Sequence, residues 1–410
     1  MTKSNKAKGG AAVSDCATTL DGVTADKKIA CTPTIGDYAL LGDIMMERLL
    51  GYETMPCPPM TKQTLEIGSK NSPDMICTPF KITLGNQIEA ANQGANVFIM
   101  PGAGCRLGFY DILQRQILED LGYEVDLISL FDYVPTQKRL FQTMKSKNPD
   151  LTEEQFNEVF ALIVQITVDM DDLADYLRQN SAFELVKGSF KRHYQAYLKE
   201  VRSARDADEA EKIGDRYREI LHDIAIDKPQ RPIRIGILGE IYIVVEPFSN
   251  AYMEDWLAER GVEINRPFDL TRMALAIHDI PGQIEKSGGY VQYNIGSTAN
   301  DVIAQAHQMM KDGIDGIIHL KPSSCSPEIT AMSVLQNMST DFGVPVMYMT
   351  FDTETGEAGV HTRLEAFCDM LEMRRTNEGK NQIPHITVSE LPVDTVCATG
   401  ACCTTAKEIV

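Results

Sequence analysis

A chain of 410 residues, 43% of them hydrophobic and with both charge signs spread along it, is long enough for more than one core and reads as globular. Its formal net charge of -19 argues against general nucleic-acid binding, which needs clustered Lys and Arg to displace counterions from phosphate. No apolar run reaches the roughly 20 residues that cross a bilayer, and the N-terminal stretch lacks the apolar middle of a signal peptide, so a cytoplasmic protein without nucleic-acid or membrane partners is expected.

In chain order, residues 1–28, polar and rich in Gly, Ala, Lys and Thr, are expected to be an unstructured arm. Regular structure begins in KKIACT, read as a strand. DYALLGDIMMERLLG follows with Leu40, Leu41, Ile44, Met45, Leu49 and Leu50 at helical spacing until Gly51 closes the helix. YETMPC reads as a second short strand and completes the opening of a β-α-β unit. Later come a helix that starts after Cys77, the apolar strand NVFIM, a loop carrying Cys105, another helix, and the strand YEVDLISL.

From 136 to 228 Pro and Gly are scarce and the pattern is helical, with charged runs on solvated faces; this is read as a helical insert or lid. The opening pattern then recurs. A strand at Ile233–Leu238 and a helix ending at Gly261 precede VEIN, as the helix ending at Gly51 precedes YETM. GIIHL, a loop carrying Cys325, a helix and VPVMYMTF complete the second half. Gly94 to Cys105 is 11 positions and Gly313 to Cys325 is 12, so a one-residue loop difference separates the two copies. Alternating strands and helices of this kind imply an α/β fold. The expectation is two related parallel-sheet domains, flavodoxin-like or Rossmann-like, at 29–135 and 229–385, with the helical insert between them and a tail at 386–410.

Ten cysteines dispersed over such a chain are not a disulfide framework, and no CxxC pair is present, so metal ligation, reactive thiols or burial remain. In open parallel sheets ligands bind beyond the carboxyl ends of the strands. Cys105 and Cys325 occupy that edge in the two halves, and Cys77 precedes a helix on the same side, so three thiolates converge if the halves face one another. Thiolate is a soft ligand suited to iron–sulfur clusters or zinc, and its ionisation is favoured at helix N-termini. The alternative is that each cysteine is a small buried hydrophobe.

Around these loops, Lys81 and Arg106 could offset negative charge or form surface ion pairs, and Glu240 ends a strand where it could relay a proton or cap a helix. Ser323 and Ser324 shape the loop, and His319 reads as a core histidine. Neither Gly-x-Gly-x-x-Gly nor Gly-x-x-x-x-Gly-Lys-[Ser/Thr] occurs, so ATP chemistry would belong to a partner.

The stretch CTPFKITLGNQIEAANQGANVFIMPGAGCRLGFYDILQRQILEDLGY contains Cys-x-Pro-x-Lys, a Gly-Ala strand, Cys-Arg-x-Gly-x-Tyr and a Gln-rich helix; RIGILGE, HLKPSSCSPE and TRLEAF follow in order. In these features the chain resembles the activase-related iron–sulfur proteins of the 2-hydroxyacyl-CoA dehydratase group, over about residues 29–375. The resemblance implies an iron–sulfur electron-transfer system in which an ATP-hydrolysing activator injects one low-potential electron into a partner. There three cysteines hold a [4Fe-4S] cluster at the reaction site. Carried over, the ligands are Cys77, Cys105 and Cys325, with the fourth iron open to an acyl-CoA or other small-molecule substrate. Cys31 and Cys57 depart from that pattern; either completes a four-cysteine site, supports a larger cluster, or is buried. Three functions stay open: a reductase or dehydratase component, a non-catalytic iron–sulfur carrier or maturation scaffold, and a cluster-free binding protein.

Overall fold

The computed structural model describes residues 27–100, 109–130, 137–267, 269–271 and 279–378. Most of the expected arm and the whole tail from 386 lie outside the described residues. Up to His361 the chain forms one compact unit that contains both sheets, and from Thr362 it belongs to a second.

The first half runs β1 (Ile29–Cys31), α1 (Ala39–Leu50), β2 (Glu53–Thr54), α2 (Lys62–Asn71), α3 (Thr78–Asn92), β3 (Val97–Met100), α4 (Tyr110–Asp120) and β4 (Asp126–Ser129). Its strands are all parallel in the order β2-β1-β3-β4, with Ala30 opposite Thr54 on one side and Val97 on the other. The period of two in β3 divides the core. Val97 and Ile99 pack with α1 residues such as Ile44 and Met46, while Phe98 and Met100 pack with Phe80 and Leu84 of α3 and Leu118 of α4. Covered on both faces, β3 is buried at every position, which is why it reads as an unbroken apolar run.

Helices α2 and α3 meet backbone to backbone. A Cβ on Gly85 would lie 1.9 Å from the Thr64 carbonyl oxygen, and one on Gly68 would lie 1.7 Å from the Lys81 carbonyl oxygen, so hydrogen alone fits at both positions. Thr61 starts α2 with a capping box to Thr64. The sequence reading expected one helix here. The second goes unnoticed because Leu65 and Ile67 are the only large apolar residues of α2.

The insert is four helices: α5 (Gln137–Lys147), α6 (Glu153–Asn180), α7 (Ser189–Val201) and α8 (Ala207–His222). Thr152 and Gln155 cap α6 reciprocally, and Asp206 caps α8 by accepting from the Glu209 N–H at 2.9 Å. Phe156, Leu162, Ile163, Ile166, Met170 and Leu173 make one buried stripe of α6, and they join the α1 side of the first sheet in a continuous core. Each fully buried side chain of this size stabilises by roughly 1.5–3 kcal/mol.

The second half repeats the plan. It comprises β5 (Ile233–Gly239), α9 (Ile241–Val245), α10 (Met253–Ala258), β6 (Val262–Asn265), α11 (Ile280–Lys286), α12 (Ala299–Lys311), β7 (Gly316–Pro322), α13 (Ser326–Phe342), β8 (Val346–Phe351) and α14 (Glu357–Glu378). Its sheet is again all parallel, in the order β6-β5-β7-β8, so each half places its first strand between its second and third. The α/β class, the duplicated parallel sheets and the helical layer expected from the sequence are therefore present. No helix among the described residues is long and apolar enough to cross a membrane.

One covalent feature differs from expectation: Cys31 and Cys57 form a disulfide, with Cα atoms 5.8 Å apart. Adjacent parallel strands explain the approach, since Cys31 ends β1 and the chain leaving β2 stays alongside it through the Met55 N–H to Ala30 carbonyl bond of 2.9 Å.

Candidate functional site

Cys77 and Cys325 are each the residue immediately before a helix, α3 and α13, and each helix carries proline in its first turn, Pro79 and Pro327. Proline is tolerated there because the first helical N–H groups lack intrahelical partners. Neither cysteine side chain caps its helix, so both sulfurs stand at the positive end of a helix dipole.

One carbonyl holds the two loops together. The Phe351 oxygen, at the end of β8, accepts from Thr78 Oγ1 at 3.2 Å and from the Ser323 N–H at 2.9 Å. Thr78 follows Cys77, and Ser323 lies two residues before Cys325, so the cysteines of the two halves are drawn to one place. Cys77 is close enough that its charge is felt by the Cys325 thiol. The Cys77 sulfur also shares a hydrogen bond with the Tyr110 hydroxyl, whose ring stands edge-on to Phe80 at 5.0 Å. Beneath them Gln114 donates to Thr83 Oγ1 and to the Phe80 carbonyl while accepting from Gln87. These fully buried amides fix α4 against α3.

Burial pushes the Cys325 thiol up to about 12 against a hydrogen bond from the Glu328 backbone N–H, while the charges of the Glu328 carboxylate, Glu240 and Cys77 add to the rise. Glu240 follows β5, caps α9 by accepting from the Tyr242 and Ile243 N–H groups, and reaches this place because its own N–H donates to Leu320 on β7. Desolvation raises its carboxyl to about 7, against the pull of those two N–H groups and with help from Glu328. Lys321, buried at the end of β7, is lowered by desolvation while Cys325 and Glu328 oppose the fall. His319 and Glu328 complete the floor with a contact of 2.8 Å between Nε2 and Oε2, both side chains being buried.

Of the expected site residues, then, Cys77, Cys325 and Glu240 come together. Glu240 does cap a helix, and it does so at the site. Lys81 sits on α3 and donates to the Asp74 carbonyl at 3.1 Å, bracing the turn before Cys77. Cys105 and Arg106 lie outside the described residues. Cys57 is bonded to Cys31, and in that form neither sulfur is a thiolate able to bind metal. Glu328 and Lys321 were not singled out in the sequence, whereas Tyr110 is the tyrosine of the Cys-Arg-x-Gly-x-Tyr motif but was given no role there. A carboxylate three residues after Cys325 was the available signal for Glu328.

Do these residues fit an iron–sulfur cluster? A thiol raised to about 12 by burial ionises only beside strong positive charge, which a metal centre supplies. The Ser324 hydroxyl, next to Cys325, is buried without a hydrogen-bond partner and suits a cluster sulfide as acceptor. The donor set fits, although no group of three or more His, Cys, Asp or Glu poised for a metal is found among the described residues, which exclude Cys105.

Residues 58–371 match the family model of the 2-hydroxyglutaryl-CoA dehydratase D-component. The chain belongs to that family. The match takes in both cysteine-bearing helices, Glu240 and the entire second sheet, so the site just described lies within the family's shared region. Membership makes the chain a dehydratase-type component of the 2-hydroxyacyl-CoA dehydratase group. None of the curated proteins compared matches it.

Proposed function

We propose that this D-component-family protein is the substrate-transforming partner of an ATP-hydrolysing iron–sulfur activator. In this reading Cys77, Cys105 and Cys325 hold a [4Fe-4S] cluster in the cleft between the two sheets. The observation that carries the reading is the shared Phe351 carbonyl, which fixes Cys77 and Cys325 beside each other from opposite halves of the chain. When bound, the cluster supplies one low-potential electron and a Lewis-acidic iron. The chain supplies the rest. Helix N-termini and the Ser324 hydroxyl offset negative charge, and Lys321 adds a cation under Cys325. The burial of Glu240 leaves its carboxyl able to hold or release a proton near neutral pH, at the edge where an acyl-CoA thioester would expose its hydroxyl. Tyr110 and the His319–Glu328 pair position these groups.

The test is anaerobic purification followed by iron and sulfide analysis and electron paramagnetic resonance of the wild type and of Cys77→Ala, Cys105→Ala and Cys325→Ala. Each variant is expected to lose iron while keeping its far-UV circular dichroism. Full iron and unchanged spectra in all three would overturn the cluster assignment and leave a binding protein with buried thiols. Cys57→Ala is expected to keep its iron, and loss there would reject the three-cysteine set. With activator, ATP and reductant, 2-hydroxyacyl-CoA thioesters should turn over or change the reduced cluster's spectrum. Electron uptake without either effect across other thioesters and small reducible molecules would favour a carrier or scaffold.

A further inference from the structure

A second cavity, of about 470 Å³, lies between the helical insert and the α9–α10 region, lined by α6, α7, the loop before α1 and the segment around Arg266. Its volume is in the range of small-molecule sites. Two arginines in its wall are more than nine-tenths buried, Arg178 at 3% and Arg266 at 6% exposure. The Nε of Arg178 and the Nη1 of Arg266 have no hydrogen-bond acceptor. Arg266 Nε lies 2.7 Å from Glu254 Oε1, but outside hydrogen-bonding geometry, so that ion pair leaves its donors unmet as well. Buried guanidinium donors are rarely left without acceptors, and an oxyanion is their natural complement.

Five acidic residues also line the cavity, Asp37, Glu184, Glu254, Asp255 and Glu259, and the first four are already engaged. Glu254 faces Arg266; Asp255 pairs with Lys191 at 2.8 Å; Glu184 accepts from the Gly188 and Phe190 N–H groups; and desolvation raises the Asp37 carboxyl, which is bonded to Gln195. Arg178 keeps one short contact, Nη2 to Asp175 at 3.1 Å. The remaining wall sets apolar and aromatic side chains, including Ala174, Leu177, Val245 and Tyr194, beside the polar Ser181, Lys187 and Asn250.

From these features we infer that the cavity binds a small organic carboxylate, its oxygens turned to Arg178 and Arg266 and its hydrocarbon body laid along Ala174, Leu177 and Val245. The apolar wall decides between carboxylate and inorganic phosphate, because it rewards an anion that carries a body. This site is independent of the cysteine cleft.

The experiment is isothermal titration of the full chain with phenylacetate, octanoate and succinate, and with phenylacetamide and inorganic phosphate as the uncharged and bodiless arms. At least one of the carboxylates carrying a hydrocarbon body, phenylacetate or octanoate, should bind saturably and at least tenfold more tightly than either control. Arg178→Met should weaken it at least tenfold. Because removing a buried arginine can disturb folding, Ala174→Phe, which fills the cavity and leaves both guanidiniums, should block binding at an unchanged melting temperature. The iron content of both variants should match the wild type, which separates this result from the fate of the cluster reading. Absence of saturable carboxylate binding, preference for phosphate or for the amide, or wild-type affinity in both variants would each overturn the inference, the cavity then holding ordered water only.

Discussion

Replacing Gly85 by alanine should damage the site from a distance. The added methyl would sit 1.9 Å from the Thr64 carbonyl oxygen, against the 3.4 Å at which ordinary contact begins, so α2 and α3 must part locally by about 1.5 Å. Neither side can yield cheaply: the obstacle is main chain, and its neighbour Gly68 is confined in the same way by Lys81. Overpacking of a buried contact costs about 1–3 kcal/mol where side chains can adjust, and backbone against backbone belongs at or above the top of that range. Because α3 carries Cys77 at its N-terminus, a displaced helix also draws that sulfur away from Cys325. Gly359 gives the matched control. It lies in the first turn of α14 with nothing within 4 Å of its would-be Cβ, so alanine there should stabilise by up to about 1 kcal/mol. Urea unfolding midpoints and iron content of the two variants provide the readout. A Gly85→Ala protein as stable and iron-rich as wild type would refute the close packing of α2 on α3.

Glu240 makes a prediction about pH. Its carboxyl ionises near 7 in the folded protein and at the ordinary 4.5 when unfolded, so its stabilising contribution is full below about pH 4.5 and is lost as pH rises to 7. The change is on the order of 3 kcal/mol. Thermal melts of iron-free protein should therefore show a flatter decline over that window in Glu240→Gln than in wild type, and parallel curves would refute the burial of this carboxyl. His319→Phe leaves the buried Glu328 only the 3.5 Å bond from the Thr298 hydroxyl and should cost about 2 kcal/mol; an unaltered melting temperature would argue that the pair is dispensable. The Cys31–Cys57 bond closes a sequence separation of 26, which predicts about 3.5 kcal/mol of stabilisation, seen as a lower melting temperature after reduction. Equal melting temperatures with and without reductant, in protein whose thiols have been counted, would count against the bond.

The duplicated sheets were legible because parallel strands buried on both faces are mostly apolar: in NVFIM Asn96 precedes β3, and in GIIHL His319 is the one polar side chain, paired with Glu328. The α1 stripe and its Gly51 stop were legible for a similar reason: Gly51 takes the left-handed conformation and returns its N–H to the Glu47 and Met46 carbonyls. Helix α2 was not, since backbone contact through Gly68 and Gly85 leaves no hydrophobic period. The placement of Cys325 and Glu240 at one edge followed from strand polarity, whereas Cys77 follows α2 and a turn and is held there through the Thr78 bond to the Phe351 carbonyl. Glu328 escaped notice because a lone carboxylate on a helix looks solvated, and only the β7–α13 packing puts it 2.8 Å from His319. The arginine-lined cavity was hidden for a plainer reason: its walls come from segments more than 200 positions apart, such as Gly36 and Arg266.

Two helices, of 15 and 17 residues, direct their N-terminal ends at the cysteine cleft. The positive potential they create comes from peptide groups common to every residue, so no point substitution that keeps the helices can erase it. Lining side chains are thereby released from the duty of supplying that potential. Drift among them can remodel which molecule enters while the positive potential of the helix ends persists, and a lineage built on this plan can change its chemistry without first rebuilding its core.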